Sequence, residues 1–557
     1  MKTKKFIFLL LSSFLILGCN NTPPNSENGN ENNQNDDINQ NTNNNDNNGN
    51  NNNDDDDLDT IDDNGNNNEN NDNNDSDDNK NPDDNIIDNN DDNDDNDNLD
   101  DNQSHNNNDN NNQQNKYDID PSQESKYSYQ SYLNYLGDIQ DVWQDYRGDN
   151  VTIAIIDSGF YVNHSEFYFA DGTSKISNDS ASFTKNGIAQ VGRDKVGITD
   201  GDSHGTICAT VAAASVTGNG TVGVAPNAKL MLLKVDKTTS AINKAFQYAA
   251  DKGVKIISIS LGAYNNKSSY DIADTNNLNE AFEQSTKYAH DKGVVICSAA
   301  GNGGYNNPTE YTYPGAASYV IGAGGLADKS RTRIWSGSSY NSSKKYQFVD
   351  VFAPAENLYS GCYFDRDNVH YDYDGGFEGT SFASPIIAGA AALYFEKYPN
   401  HTNIDFERAL FNTCDTFGDS NQTGYGAINI KKLMNYEKPA DAEKDFYVYA
   451  PNWWSQDNAS TYAYSWNYAN TIENNNYPGL MMTNLKNGYF KINIDTSLYS
   501  WLLFSRYSAD GRSYWGAKTI DLEISQFKNN NCFVISDSAA WESDSKYATG
   551  TFSQYHE

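Results

Sequence analysis

Four residues of the types that hydrolytic chemistry uses stand at the ends of apolar segments in this chain: Asp157, His204, Asn302 and Ser381. Ser381 lies in Gly379-Thr380-Ser381-Phe382-Ala383, which runs on through Ser384-Pro385 into an apolar stretch of helical character. A serine hydroxyl is a poor nucleophile at its free pKa and needs a neighbouring base, and a sharp turn before a helix leaves it reachable. The unpaired first-turn amides and the positive end of the helix dipole would stabilise a negative oxygen forming there. Asp157 closes Val151-Thr152-Ile153-Ala154-Ile155-Ile156, a β-branched run that reads as a buried parallel strand with an acid at its carboxyl end. Open α/β sheets place their chemistry at that end. His204, in Asp202-Ser203-His204-Gly205-Thr206, precedes an apolar run to Ala214 and falls in the first turn of a helix.

Each segment has an ordinary reading when taken alone, since aspartate before glycine starts turns and a lone histidine is usually structural. Their order changes the weighing. Asp, His and Ser follow one another at separations of 47 and 177 residues, and that order is one of the convergent arrangements of the hydrolytic triad. Val294-Val295-Ile296-Cys297-Ser298-Ala299-Ala300-Gly301-Asn302-Gly303 is a further apolar strand, ending in a turn that would hold the Asn302 amide as a donor to a developing oxyanion. Residues 127 to 436 closely resemble the subtilisin-like serine proteases. Gly223-Val224-Ala225-Pro226, Ile257-Ser258-Ile259-Ser260-Leu261-Gly262, Tyr313-Pro314-Gly315-Ala316, Phe352-Ala353-Pro354 and Gly424-Tyr425-Gly426-Ala427-Ile428-Asn429 match that family as well.

The resemblance implies a mechanism. Ser381 attacks a peptide carbonyl, His204 takes and returns the proton, Asp157 orients the histidine, and Asn302 with the Ser381 N–H binds the oxyanion. It also implies that Ser260, Leu261 and Gly262 offer a backbone edge to which substrate pairs as an added strand. Strands near 151–156, 230–235, 255–261, 294–299 and 319–323 alternate with helical patterns near 205–215, 239–252, 276–292 and 381–398. That alternation predicts an α/β domain with a mostly parallel sheet flanked by helices. Two departures from many relatives stand out. No foldable pro-segment precedes residue 117, and the loop Ser215 to Val222 looks too tight for the calcium site many relatives build there. The chemistry requires no cofactor or metal, and calcium is left open.

The net charge of −38 is local in origin. Residues 20 to 116 are almost entirely Asn, Asp, Gln, Glu, Gly and Ser, and their 28 acids against Lys80 and Lys116 account for 26 of those charges. Such a stretch has almost nothing apolar to bury and reads as a disordered, solvated tether; its sign argues against a nucleic-acid partner. Three lysines within Met1–Lys5, an apolar core from Phe6 to Leu17, and Gly18-Cys19 resemble a bacterial lipoprotein signal. Cleavage before Cys19 and lipidation of its thiol would anchor the chain to a bilayer at the cell surface. Asn20 favours the outer membrane if the organism has two. The other five cysteines are odd in number and unpaired in spacing, so no disulfide framework is indicated. Cys208, one turn after His204, reads as packing beneath it.

The expected organisation is a signal peptide (1–18), a tether (19–116), a peptidase domain (117–437) and a small antiparallel β-sandwich (438–557). The last segment is rich in Tyr, Trp and Phe in short alternating runs. Tyr462-Ala463-Tyr464-Ser465-Trp466, Tyr477-Pro478-Gly479 and Lys518-Thr519-Ile520-Asp521-Leu522 resemble starch-binding carbohydrate modules, although Tyr477 stands where tryptophan is usual and Lys518 where glutamine is usual. That resemblance implies stacking of an α-glucan on Tyr464, Trp466 and Tyr477; core packing is the competing account. Three function classes follow: a surface-tethered endopeptidase acting on proteins or peptides, a catalytically silent adhesin, and a glycan-binding surface protein. The intact set of four polar residues favours the first.

Overall fold

The computed structural model describes residues 116–556 apart from positions 188, 198–202, 266, 268–271, 273–275, 345–346, 367–368, 510, 512–513 and 537–546. Cys19, the expected signal and the expected tether up to residue 115 therefore lie outside the described residues.

A run of β-branched residues with no polar interruption suits a strand covered on both faces, and the chain builds nine strands into one such sheet. They are β1 (Thr152–Asp157), β2 (Ala181–Phe183), β3 (Gln190–Val191), β4 (Lys229–Val235), β5 (Ile256–Ile259), β6 (Val295–Ala299), β7 (Ile321–Leu326), β8 (Val351–Pro354) and β9 (Gly426–Ala427). The spatial order is β9-β8-β7-β6-β5-β1-β4-β2-β3, parallel throughout except for the β2–β3 pair. Alternate residues feed two cores. Ile153, Ile155, Leu230, Leu232 and Cys297 face one side with helices α1 (His204–Ala213) and α4 (Thr380–Lys397). Ala154, Ile156, Met231, Leu233 and Ile257 face the other with α2 (Thr239–Asp251) and α3 (Leu278–Asp291). Each fully buried Ile or Leu contributes about 1.5–3 kcal/mol relative to exposure.

All five strands expected from the sequence are present within this sheet, and the four helical patterns correspond to α1–α4. The sequence reading missed β2, β3, β8, β9, a helix at Asn403–Thr413 and the hairpin of Leu358–Arg366 with Val369–Phe377. The four missed strands of the sheet are two to four residues long, too short to show a period. The hairpin is rich in polar and aromatic residues, and it packs against α1, where the Tyr363 N–H donates to Ser203 Oγ at 2.7 Å.

The C-terminal segment forms two five-stranded sheets, one containing Glu443–Tyr449, Tyr489–Asp495 and Cys532–Ile535, the other Ser460–Trp466 and Trp501–Tyr507. The pairing is antiparallel apart from Glu443–Tyr449 with Cys532–Ile535, which run parallel. Phe446, Val448, Trp454, Phe490, Leu502, Phe504 and Phe533 fill the space between the sheets. Trp466 does share a face with Tyr464, as the i, i+2 spacing requires, but that face is not an open platform. Trp466 is 2% exposed, stacked on Trp501 at 6.2 Å and on Tyr464 at 5.3 Å, within a second small core to which Tyr468 and the half-buried Tyr477 also belong. The Tyr464 hydroxyl donates to Glu473, and Tyr319 of the peptidase segment donates to the other oxygen of the same carboxylate at 2.9 Å.

The sequence expectation that Tyr464, Trp466 and Tyr477 present a sugar-stacking surface is thus corrected for Trp466, whose ring faces are spent on neighbouring aromatics. The face packs towards the peptidase instead. Tyr425 OH accepts from the Tyr468 N–H at 3.1 Å, Asn412 donates to Ser497 O at 2.9 Å, and Ala469 belongs to the peptidase core. Replacing Trp466 by Ala is expected to destabilise the fold by about 3–5 kcal/mol. Denaturant unfolding followed by fluorescence would read this as a lowered midpoint, whereas an unchanged midpoint would mean the ring is dispensable to packing.

Candidate active site

The strand β1 ends in a carboxylate with no solvent exposure, and such a group needs partners to stay ionised. Asp157 Oδ1 accepts from the Ser158 N–H at 2.8 Å, and both oxygens lie 3.0 Å from His204 Nδ1. Gly205 makes this approach feasible. A Cβ there would collide with the Gly159 carbonyl and stand 2.9 Å from Asp157 Cβ, so a larger residue would push α1 off the strand end. The Tyr161 N–H donates to Thr206 Oγ1 at 2.9 Å and ties the loop after β1 to the same turn of helix. Burial alone would lower the His204 pKa, but the adjacent Asp157 charge and its hydrogen bond reverse the sign and hold the imidazole well above its ordinary value.

Ser381 is the second residue of α4. Its hydroxyl donates to Ser260 O at 3.3 Å. Pro385, four residues on, has no N–H, so the Ser381 carbonyl loses its helical donor. Two side chains replace it: Ser260 Oγ at 2.6 Å and Cys208 Sγ at 3.6 Å. The Ser381 backbone is thereby held by the segment following β5 and by α1. Asn302 Oδ1 accepts from both the Thr380 N–H and Thr380 Oγ1, each at 2.9 Å, while the Gly301 N–H donates to the Thr380 hydroxyl at 3.1 Å. An amide whose oxygen is spent on Thr380 has only its NH₂ left to turn towards the space beside Ser381.

The structure therefore brings Asp157, His204, Ser381 and Asn302 to the carboxyl ends of β1, β6 and the adjoining helix starts. Ser260 and Leu261 are buried and Gly262 is half-buried. Cys208 is buried with its sulfur 4.0 Å from His204 Nδ1. Asp157, His204 and Cys208 converge closely enough to resemble a metal-ligand set, but burial pushes the Cys208 thiol up and disfavours the thiolate a metal would need. The bracing roles of Thr380 and of the Ser260 hydroxyl escaped sequence reasoning. The Ser381–Pro385 spacing was the legible signal that an orphaned carbonyl would need outside donors.

In the loop Ser215–Val222 the Thr217 and Gly218 N–H groups donate to Glu124, and Thr221 donates through N–H and hydroxyl to Glu166 at 2.6 and 2.8 Å. The Gly220 and Val222 carbonyls are taken by the Lys126 N–H and the Gln130 side chain. The two buried glutamates close the loop directly.

A family model described as Subtilase family matches residues 148–426. The chain is 31% identical over 294 residues to subtilisin DY of Bacillus licheniformis, covering 52% of this chain and 92% of that protein. It is likewise 31% identical over 304 residues to thermitase of Thermoactinomyces vulgaris, covering 53% and 92%. Among solved structures, fervidolysin of Fervidobacterium pennivorans superposes with a TM-score of 0.48 at 19% identity, over 73% of this chain and 62% of that one. This chain belongs to the subtilase family and is a serine-type endopeptidase.

A proton-accepting His204 must be neutral, and its pKa lies above the usual 6.5. The kcat/KM of the protein is therefore expected to fall as pH drops through that raised value. Asp157→Asn removes the charge that raises it, so the acid limb should move to lower pH while kcat falls by about 10⁴. A pH–rate profile of the two proteins on one peptide checks both shifts.

Proposed function

We propose that this chain hydrolyses peptide bonds through Ser381, His204 and Asp157, with Asn302 as an oxyanion donor. The Ser381 oxygen forms a bond to the peptide carbonyl carbon as its proton passes to His204. The carbonyl electrons move to oxygen and are met by the Asn302 NH₂ and the Ser381 N–H, each donor lowering the barrier by about 3–4 kcal/mol. Return of the electron pair breaks the C–N bond, and His204 protonates the departing amine. Water then repeats the sequence on the acyl-enzyme. All of these steps use side chains and main-chain donors, with no cofactor. The observation that carries this reading is the buried Asp157–His204 pair set beside a helix-start serine whose neighbour Thr380 locks the Asn302 amide.

Ser381→Ala is expected to abolish labelling by a fluorophosphonate probe and to lower kcat by about 10⁶, a magnitude established for subtilisin itself. Asn302→Ala should cost about 10²–10³ in kcat with KM little changed, since its bond matters mainly in the transition state. A folded wild-type protein that does not label would falsify this reading.

The same proposal places the enzyme on a bacterial surface, lipid-anchored through Cys19, in the outer membrane if the organism has two. What supports this is the lysine-rich start, the apolar stretch Phe6–Leu17 and the Gly18-Cys19 pair; among the described residues no helix is long and apolar enough to cross a membrane. Protein and peptide substrates are the partners this reading implies, and nucleic acid is not among them. The buried Trp466 ring argues against glycan binding through Tyr464, Trp466 and Tyr477. Full-length protein expressed in a bacterium should incorporate labelled palmitate and partition into detergent, and Cys19→Ala should do neither; unlipidated wild-type protein in the medium would contradict the anchor.

A further inference from the structure

We infer that the enzyme acts as an uncut chain: residues 116–119 fasten the acidic stretch before them to the peptidase at the pole opposite Ser381, where the molecule's own active site cannot reach the junction. The inference rests on the proposed Ser381 chemistry and concerns its regulation, since a chain so fastened leaves its cleft clear at the junction without a cut beside Lys116. The fastening is built around Glu396. Its Oε2 accepts the N–H groups of Arg147, Gly148 and Asp149 at 2.7, 2.6 and 3.1 Å. Its Oε1 lies 2.6 Å from Lys116 Nζ and 3.2 Å from the Tyr117 hydroxyl. The same two residues reach Asp149, Lys116 at 3.3 Å and the Tyr117 hydroxyl at 2.8 Å. The Arg147 guanidinium lies over the Tyr117 ring at 4.0 Å and donates through Nη1 to Ile119 O at 2.7 Å.

Two elements running in opposite directions place this hub far from the catalytic groups. Ser381 is the second residue of α4, and Glu396 follows it by 15 residues in the same helix, an axial distance of about 22 Å. β1 runs the other way: Asp149 lies just before its first residue, Thr152, and Asp157 is its last. The pole that takes Lys116 is therefore the one that both elements carry away from Asp157 and Ser381. A bond can be attacked only where the chain lies in the cleft, and an extended residue spans at most about 3.3–3.6 Å. With Lys116 held, about seven residues would be consumed in a straight line through the domain, and more around its surface. The bonds on either side of Lys116 thus lie outside the reach of Ser381 in the same molecule.

The charge of Glu396 shows why the fastening has to stay in place. A carboxylate in the last turn of a helix opposes the helix dipole, and this side chain is only 7% exposed. The amides of residues 147–149 and the cation of Lys116 offset that cost, so the last residue of the acidic stretch is part of the peptidase's own charge balance. A cut after Tyr117 would strip Oε1 of both donors and leave a nearly buried carboxylate short of partners. Such a cut weakens the fold that carries Ser381 instead of activating it.

The test uses detergent-solubilised full-length protein, wild type and Ser381→Ala, incubated at several concentrations, labelled with a fluorophosphonate and sized by intact mass. The label is expected on wild-type chains that still carry the residues before Lys116. Label confined to chains trimmed near Lys116, with Ser381→Ala remaining untrimmed, overturns the inference, as does cleavage beside Lys116 at a rate independent of concentration. Both of those outcomes leave the Ser381 chemistry standing, whereas a folded wild type that labels in no form overturns that chemistry and this inference with it. Glu396→Gln, which keeps the side-chain shape but not the charge, probes the fastening itself. It is expected to melt below the wild type and to be cut near Lys116 faster when active wild-type enzyme is added; a variant as stable and as resistant as the wild type overturns the role of Glu396.

Discussion

A fully buried carboxylate at the end of the central strand constrains much of what surrounds it. Asp157 sits with zero exposure in the middle of the sheet, where an isolated charge would be far too costly to keep. Its partner has to come from another element. His204 supplies that partner from the first turn of α1, which reaches the strand end only because Gly205 carries no side chain. Thr206 then bonds the loop following the aspartate, so the same helical turn that orients the histidine closes the strand exit. One electrostatic requirement thus sets the seating of a helix, the orientation of an imidazole and the path of a loop.

The second organising feature is a missing hydrogen bond. Pro385 deprives the Ser381 carbonyl of its helical donor, and Ser260 and Cys208 fill the vacancy from β5's exit and from α1. The Ser381 backbone is consequently braced by the segment following β5 and by the helix that bears His204. Thr380 performs a parallel service for Asn302, occupying its oxygen so that the amide donors remain.

The C-terminal sandwich illustrates how one aromatic pattern can serve different ends. Alternation along Ser460–Trp466 places Tyr464 and Trp466 together whether the face binds a sugar or packs inward. In this chain Trp501, Tyr468 and Glu473 close over them, and Tyr319 and Tyr425 reach across from the peptidase. A surface of the kind that would stack on a ring is used for intramolecular packing.

The linear sequence sufficed for those features that depend on local pattern. Unbroken apolar runs specified the inner strands, apolar stretches alternating with them specified the helices around them, and the ordered Asp, His and Ser segments predicted element ends, which is where Asp157, His204 and Ser381 lie. Short edge strands and the polar hairpin before Ser381 were illegible, since two to four residues carry no period and pairing across a sheet is non-local. Tertiary structure alone decided two matters. The Ser215–Val222 loop is closed by Glu124 and Glu166, residues distant from it in sequence, and Trp466 is buried, because exposure depends on what folds over a face. Each of these is a contact between residues far apart along the chain, and sequence spacing holds no record of such distances.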